Sequence, residues 1–353
     1  MNETKVMPDG VAFDGRTYAI VDGLTMPAPE RRWLEEWRAG GIGCVNCTIA
    51  VWENAAETMA VLGKWRLLVE ENSDIVATAT SVAAIEAIRK SGRTAIVFGF
   101  QNTAPVEHNL DLFGVYRNSG ICIMQLTYNL QNYIGCGYWE EKDTGISSRF
   151  GRFALEEMAR VGIMVDLSHC GERTTLEAID LSPRPVAITH ANPREYVGTG
   201  VYGAGRLKTT AAMKALAARK GVIGLTPNRN MTRNGAATTL EEFGDMVAWV
   251  VDRIGVDAVA MGTDYCPGHP NSVRTWWRYA RWSRESAPAE QMKIAPHEGW
   301  SDWMKTQAGL ANVISELGRR GFGQDDIAKM MGGNWLRIMG ETFAPMSGAT
   351  SHG

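Results

Sequence analysis

Two histidines close apolar runs of this sequence at positions where a turn would usually place Gly, Asn or Asp. His169 ends the run GIMVDLSH, His190 ends the run PVAITH, and a third run, AVAMGTD, ends on Asp264. Because the chain has only six histidines, two of them at successive strand ends form a specific pattern. Imidazole nitrogens and carboxylate oxygens serve as zinc ligands and as general bases. The pattern therefore predicts a metal-binding or acid–base site where these runs end.

Eight short apolar runs predict the strands that must position these side chains. The predicted strands are 18–23, 41–51, 94–101, 121–129, 162–169, 185–190, 221–227 and 258–264. Stretches with helical spacing of apolar residues precede several of them, at 29–41, 80–92, 151–162, 209–221 and 240–255. This alternation predicts an α/β fold, a closed (β/α)8 TIM barrel. An open doubly wound sheet is the alternative, but the first strand is followed by VDGLTMP instead of the G-x-G-x-x-G turn of that fold.

The active sites of (β/α)8 barrels lie at the carboxyl ends of the strands. In this sequence those positions hold Asp22, Asn46, Cys47, Thr48, Gln101, Asn102, Tyr128, Asn129, His169, His190, Asn228, Arg229 and Asp264. Adjacent strands lie about 5 Å apart, so imidazoles on neighbouring strands can share one metal ion. Cys47 leaves two interpretations open: a small buried hydrophobe, or a ligand or nucleophile beside an imidazole.

Composition excludes several other classes of protein. The chain has 353 residues, of which 45% are hydrophobic and 21% charged, and a net charge of −3, which gives no basis for binding nucleic acid or an anionic membrane. No run is long and apolar enough to span a bilayer, no signal peptide is visible, and six cysteines suit a reducing cytoplasm. We expect a cytoplasmic protein whose partner is a small-molecule substrate. One barrel domain over 1–353 is expected, with an N-terminal extension at 1–17 and a long insertion at 265–308 as lid or wall.

Four motifs, MVDLSH, ITHANPR, AMGTD and MGGNWLRIM, resemble the renal or membrane dipeptidase family of zinc hydrolases in the amidohydrolase superfamily. The resemblance runs from about residue 18 to about residue 340. It implies a TIM barrel of the metal-dependent hydrolase type, two bridged zinc ions, hydrolysis of short dipeptides, and often a homodimer. By motif position, His169 and His190 match ligands of the second zinc, Asp264 matches the proton-handling aspartate, and Arg206 matches the arginine that grips the substrate carboxylate.

Four departures from the family pattern indicate an altered metal site. Leu24 and Met26 stand where the first zinc has its His and Asp ligands, Gln101 replaces the bridging glutamate, and Tyr128 replaces a substrate-binding histidine. Leucine cannot coordinate zinc, and Gln101 offers only a neutral oxygen.

The prediction is a divergent, dipeptidase-like metallohydrolase that cleaves a small dipeptide-like or cyclic amide with a metal-activated water. One Zn²⁺ is expected on His169 and His190, completed by Gln101, Asp264 or a thiol, and a site without metal stays open. The catalytic residues are Asp264, His169 and His190; the predicted substrate contacts are Arg206, Tyr128, Asn129, Gln101 and Cys47. The alternatives are a non-hydrolytic proton-transfer enzyme, a tautomerase or lyase, and an inactive small-molecule-binding homologue.

Overall fold

The computed structural model describes residues 5–7, 10–13, 15–147, 149–201, 203–279 and 300–346. A small antiparallel sheet precedes the main sheet and is built from β1 (Lys5–Met7), β2 (Gly10–Phe13) and β3 (Arg16–Tyr18). It covers most of the segment predicted as an N-terminal extension. The division into that extension, one barrel domain and the 265–308 insertion stays a prediction, since 280–299 lie outside the described residues.

Eight parallel strands form the barrel, and each pairs with the next along the chain. They are β4 (Ile20–Thr25), β5 (Ile42–Ala50), β7 (Thr94–Phe100), β8 (Ile121–Gln125), β9 (Met164–Asp166), β10 (Ala187–Ile188), β11 (Val222–Leu225) and β12 (Val259–Met261). A short additional strand, β6 (Val76–Thr78), pairs with β7. Every strand predicted from the sequence corresponds to one of the eight.

Two backbone hydrogen bonds join the last strand segment to the first. The Asp264 amide donates to the Leu24 carbonyl at 3.0 Å, and the Met26 amide donates to the Tyr265 carbonyl at 2.9 Å. The sheet therefore closes on itself, and the predicted (β/α)8 barrel is confirmed over the open sheet.

Helices connect and surround the strands. The α-helices are α1 (Arg31–Ala39), α2 (Ala55–Glu71), α3 (Val82–Lys90), α4 (Asp111–Asn118), α5 (Phe150–Val161), α6 (Glu172–Leu181), α7 (Arg194–Val197), α8 (Thr210–Ala218), α9 (Leu240–Ile254), α10 (Asn271–Tyr279), α11 (Asn312–Arg319), α12 (Gln324–Ala328) and α13 (Asn334–Thr342). A π-helical turn, Lys329–Gly333, joins the last two. Capping boxes on Asn54 and Thr239 fix the starts of α2 and α9. All five helices predicted from the sequence are present.

The hydrophobic core has two layers because side chains of a barrel strand alternate between the barrel interior and the helices. Cys44, Val97, Ile123 and Trp335 belong to the inner cluster. The larger cluster lies between strands and helices. Among the described residues, no helix has the length and apolar character that a membrane span requires.

Candidate active site

The predicted catalytic residues lie close together, each in the loop that follows a barrel strand. His169 follows β9, His190 follows β10, and Asp264 follows β12. The two imidazole Nε2 atoms lie 3.1 Å apart, and Asp264 Oδ1 lies 4.0 Å from His190 Nε2. All three side chains are buried. Strand ends separated by up to 95 positions in the sequence thus form one polar cluster, as the barrel topology predicts.

Each imidazole is held from outside through its other nitrogen. His169 Nδ1 lies 2.8 Å from Asn129 Oδ1, and His190 Nδ1 lies 2.7 Å from Thr189 Oγ1. The Asn129 amide group donates to the backbone carbonyl of Arg278 at 3.1 Å, which fixes its oxygen toward the ring. We therefore assign the hydrogen of His169 to Nδ1. This leaves the Nε2 lone pair of His169 facing the second imidazole.

Burial and positive charge keep both imidazoles neutral. Burial lowers the pKa of His169 and of His190 well below the usual range, and the nearby Arg206 guanidinium lowers it further. Neutral imidazole is the form that ligates a metal ion.

The hydrogen bonds that described residues give the Asp264 side chain all fall on the same oxygen. Its Oδ2 accepts hydrogen bonds from Asn228 Nδ2 at 2.8 Å and from Arg206 Nη1 at 3.3 Å. The residue has a left-handed backbone conformation, with φ of 55°. Burial raises the pKa of Asp264, while Arg206 and the hydrogen bond from Asn228 act in the opposite direction. A buried carboxyl with a raised pKa is suited to accept a proton.

Arg206 supports both the carboxylate and the backbone of the histidine. Besides its contact with Asp264, its Nη2 donates to the His190 carbonyl at 3.3 Å. The side chain is buried, and its Nε has no hydrogen-bond partner among the described residues. The predicted grip on a substrate carboxylate stays a prediction. Asn228 was named among the strand-end residues without a role, and the structure adds it as a partner of Asp264.

Aromatic rings cover the side of His169. Tyr128 stacks on the imidazole with ring centroids 4.1 Å apart and an angle of 21° between the planes. Tyr138 approaches the same imidazole at 5.9 Å. Burial raises the pKa of Tyr128. Sequence reasoning missed Tyr138 because it lies in a long irregular loop without a periodic pattern.

The described part of the 265–308 segment packs against the aromatic side chains beside His169. Helix α10 offers backbone carbonyls inward: Trp277 O accepts from Trp52 Nε1 at 2.7 Å, and Arg278 O accepts from Asn129. Trp52 in turn meets Tyr128 edge to face, with centroids 6.0 Å apart. The described part of the segment therefore contacts Asn129, which holds His169. That the whole segment 265–308 forms a lid or wall stays a prediction.

The positions that match the first zinc ligands are apolar or neutral here. Leu24 and Met26 are buried, and the Gln101 amide nitrogen lies 3.6 Å from the Met26 sulfur. In the described residues no three side chains of His, Cys, Asp or Glu converge as a metal-binding group. Two imidazole nitrogens that point at each other fit one cation, while Asp264 Oδ1, at 4.0 Å from His190 Nε2, lies farther away than the two nitrogens do from each other. That Gln101 ligates a metal stays a prediction.

The structure does not support a substrate contact from Cys47. This thiol belongs to the cluster between the barrel and its helices, together with Val45 and Ile49, and is fully buried. Alternation along β5 directs Asn46 and Thr48 to the other side. Burial also raises the pKa of the thiol, which removes its nucleophilic form. The interpretation of Cys47 as a small buried hydrophobe is the one that fits.

Comparison with known proteins finds relatives of this chain. The sequence model described as "Membrane dipeptidase (Peptidase family M19)" matches residues 32–281. Dipeptidase verJ of Clonostachys rogersoniana is 27% identical over 335 residues, which cover 92% of this chain and 73% of verJ. Dipeptidase tcpJ of Claviceps purpurea is 24% identical over 276 residues, covering 78% of this chain and 57% of tcpJ.

Solved structures share the whole barrel. An amidohydrolase from Pseudomonas aeruginosa superposes with a TM-score of 0.83 at 31% identity, covering 92% of this chain and 97% of that protein. A metallopeptidase from Rhodobacter sphaeroides, solved with a phosphinate mimic of the dipeptide L-Ala-D-Ala, superposes with a TM-score of 0.74 at 16% identity, covering 93% of this chain and all of that protein. The second similarity concerns the fold alone.

Proposed function

We propose that this chain, which belongs to the membrane dipeptidase family of hydrolases, cleaves a small dipeptide-like or cyclic amide with the help of one zinc ion. The observation that carries the proposal is the convergence of two imidazole Nε2 atoms at 3.1 Å while both Nδ1 atoms are bound from outside. This is the arrangement of ligating histidines, whose second nitrogen usually donates to a neighbouring group. The named activity of the relatives supports the reaction class.

His169 and His190 would hold the ion. A bound zinc ion would supply a nucleophilic water whose pKa falls to about 7. Asp264 would accept the proton that the attacking water loses on Oδ1, the oxygen nearer to His190, and would return it to the leaving amine. Arg206 and Asn228 keep its other oxygen fixed during this transfer.

The number of ions follows from the donor set. Leu24 and Met26 bring no ligand for hard cations, and Gln101 is neutral, so a bridged pair of zinc ions is not expected. Tyr128 and the apolar cluster against which it packs, which includes Trp52 and Trp277, then leave an uncharged surface beside His169 for the substrate. We propose one zinc ion per chain.

The test is metal content measured by mass spectrometry together with amide hydrolysis. Purified protein is expected to hold one zinc ion, and the double variant His169→Ala, His190→Ala should lose both the metal and the activity. His108→Ala is the matched control, because it removes an exposed imidazole outside the cluster. Amide hydrolysis that persists in fully metal-free protein would contradict the proposal.

A proton-transfer enzyme is the second candidate. The observation in its favour is that, within the described part of the chain, only two metal-binding side chains touch, whereas His169, Tyr128 and Asp264 could all carry protons. A chelator distinguishes the candidates: it abolishes hydrolysis that needs zinc but spares a tautomerase or lyase that does not. An inactive homologue would keep only ligand binding. A cytoplasmic location and a homodimer also remain proposals.

A further inference from the structure

Asp166, the last residue of β9, is a buried carboxylate with four hydrogen-bond donors. Its Oδ1 accepts from the Ser168 amide at 3.0 Å, from Ser168 Oγ at 2.6 Å and from the Thr189 amide at 2.9 Å. Its Oδ2 accepts from Thr189 Oγ1 at 2.7 Å. Asp166 does not touch either histidine, and the function proposed above assigns it no role.

Counting hydrogens at Thr189 determines the state of His190. A threonine hydroxyl has one hydrogen, and here Asp166 Oδ2 takes it. Ser168 Oγ, 3.1 Å away, donates its own hydrogen to Asp166 and accepts from the His190 amide. With Asp166 as the carboxylate, the 2.7 Å contact between Thr189 Oγ1 and His190 Nδ1 therefore requires a hydrogen on Nδ1.

We propose that Asp166 is a positioning residue that acts through the Thr189 hydroxyl to fix His190 as the Nδ1–H tautomer, so that its Nε2 lone pair faces His169. Asn129 does the same for His169 from the opposite side. Two lone pairs 3.1 Å apart repel each other unless a cation lies between them. This series of hydrogen bonds from Asp166 through Thr189 to His190, called the relay below, thus prepares the two imidazoles for a metal ion. Only this last step rests on the proposed function.

The backbone around the relay cannot shift easily. A Cβ atom added to Gly224 would lie 2.1 Å from the Thr189 carbonyl oxygen, and one added to Gly262 would lie 1.8 Å from it. Ala187 pairs with Asp166 in the sheet, and the Leu167 amide donates to the Ala187 carbonyl at 2.9 Å. The backbone that carries the Thr189 hydroxyl is therefore packed closely against the backbone of Gly224 and Gly262.

The barrel contains a matched arrangement without a histidine. Asp22 Oδ1 accepts from the amides of Leu24 and Thr263 at 3.1 and 2.7 Å, and its Oδ2 accepts from Thr263 Oγ1 at 2.5 Å. Thr263 immediately precedes Asp264, as Thr189 precedes His190. Because no imidazole follows Thr263, Asp22→Asn is a control that perturbs the same kind of buried contact.

The variant Asp166→Asn reverses the relay in a defined way. The amide oxygen of Asn still accepts hydrogen bonds from Ser168 and from the Thr189 backbone amide, while the new NH₂ group donates to Thr189 Oγ1. The threonine hydrogen then turns to His190 Nδ1, and the ring hydrogen moves to Nε2. Long-range ¹H–¹⁵N spectra of histidine-labelled, metal-free protein report this tautomer, and the His169→Ala background removes the second ring from the readout.

In that background we expect the Nδ1–H form of His190, the Nε2–H form after Asp166→Asn, and no change after Asp22→Asn. In the otherwise intact chain, Asp166→Asn should weaken Zn²⁺ binding about 10- to 100-fold in a competition titration. An unchanged tautomer in Asp166→Asn, or an Nε2–H ring before it, overturns the proposal. If Asp166→Asn does not fold, two other variants test the proposal. His190 must lose its preference for the Nδ1–H form in Thr189→Val and must keep it in Thr189→Ser. Absence of Zn²⁺ binding in every variant and in the parent would overturn the proposed function but not the tautomer assignment.

Discussion

The Nε2 atoms of His169 and His190 lie 3.1 Å apart at the carboxyl ends of neighbouring strands, while their Nδ1 atoms face Asn129 and Thr189. Because the outer partners fix a hydrogen on each Nδ1, the two neutral rings repel each other at this contact unless a cation lies between them. The relative placement of the two rings is therefore the feature on which the chemistry of this site depends.

Asp264→Asn should separate proton transfer from metal binding. The amide keeps the size of the side chain but cannot accept the proton, so we expect kcat for amide hydrolysis to fall about 10²- to 10⁴-fold. Zinc content should remain near one per chain, since His169 and His190 are untouched. Loss of the metal in this variant would instead make Asp264 a ligand.

Restoring the family ligands should create a second metal position. The triple variant Leu24→His, Met26→Asp, Gln101→Glu supplies an imidazole and two carboxylates where the chain now has neutral groups. We expect zinc content to rise from one to two ions per chain by mass spectrometry. Gln101→Glu alone is the control: it should bind no second ion and should lower the melting temperature, because it buries an unpaired carboxylate beside Met26. A triple variant that stays at one ion would contradict this prediction.

Cys47→Ser should destabilise the fold without changing metal content. The thiol is packed among apolar side chains, so a hydroxyl there would lack a partner and cost about 1–3 kcal/mol in the free energy of unfolding. Cys266→Ser is the matched control, because Cys266 Sγ lies 3.1 Å from the Asp264 carbonyl, which a hydroxyl can also use. Urea unfolding measures the free energy of unfolding of both variants. Equal losses for the two variants would speak against the placement of Cys47.

Asp22 should make stability fall as the pH rises from about 4 to about 6. Burial raises the pKa of Asp22 from 3.8 to about 6. In this range the folded protein binds more protons at Asp22 than the unfolded chain does, so ionisation with rising pH costs folding free energy. The full effect approaches about 3 kcal/mol at 1.36 kcal/mol per pKa unit.

Asp22→Asn removes that titration. We expect the unfolding free energy of the variant, relative to the parent protein, to rise by about 2 kcal/mol between pH 4 and pH 6, which is most of the full effect. Comparing variant with parent at each pH cancels the other titrating groups. A difference that stays constant across this range would show that Asp22 does not titrate there.

The sequence alone determined the barrel and much of the site. Apolar runs with intervening helical stretches are local patterns, and eight of them predicted the eight strands. Because parallel strands of a barrel end on one side, the sequence alone predicts that His169, His190 and Asp264 meet. The motif departures at Leu24, Met26 and Gln101 also came from the sequence.

Tertiary structure decided how those residues are held. Cys47 and Asn46 are neighbours in the sequence, but only the register of β5 in the closed sheet sets which of them faces the helices. The partner of Asn129 is a backbone carbonyl about 150 positions away, and Asp166 reaches His190 through a hydroxyl on another strand. Hydrogen-bond direction depends on distances between atoms that the chain brings together only on folding. The sequence pattern can therefore predict which imidazoles meet, but it cannot predict which of their nitrogens carry the hydrogens.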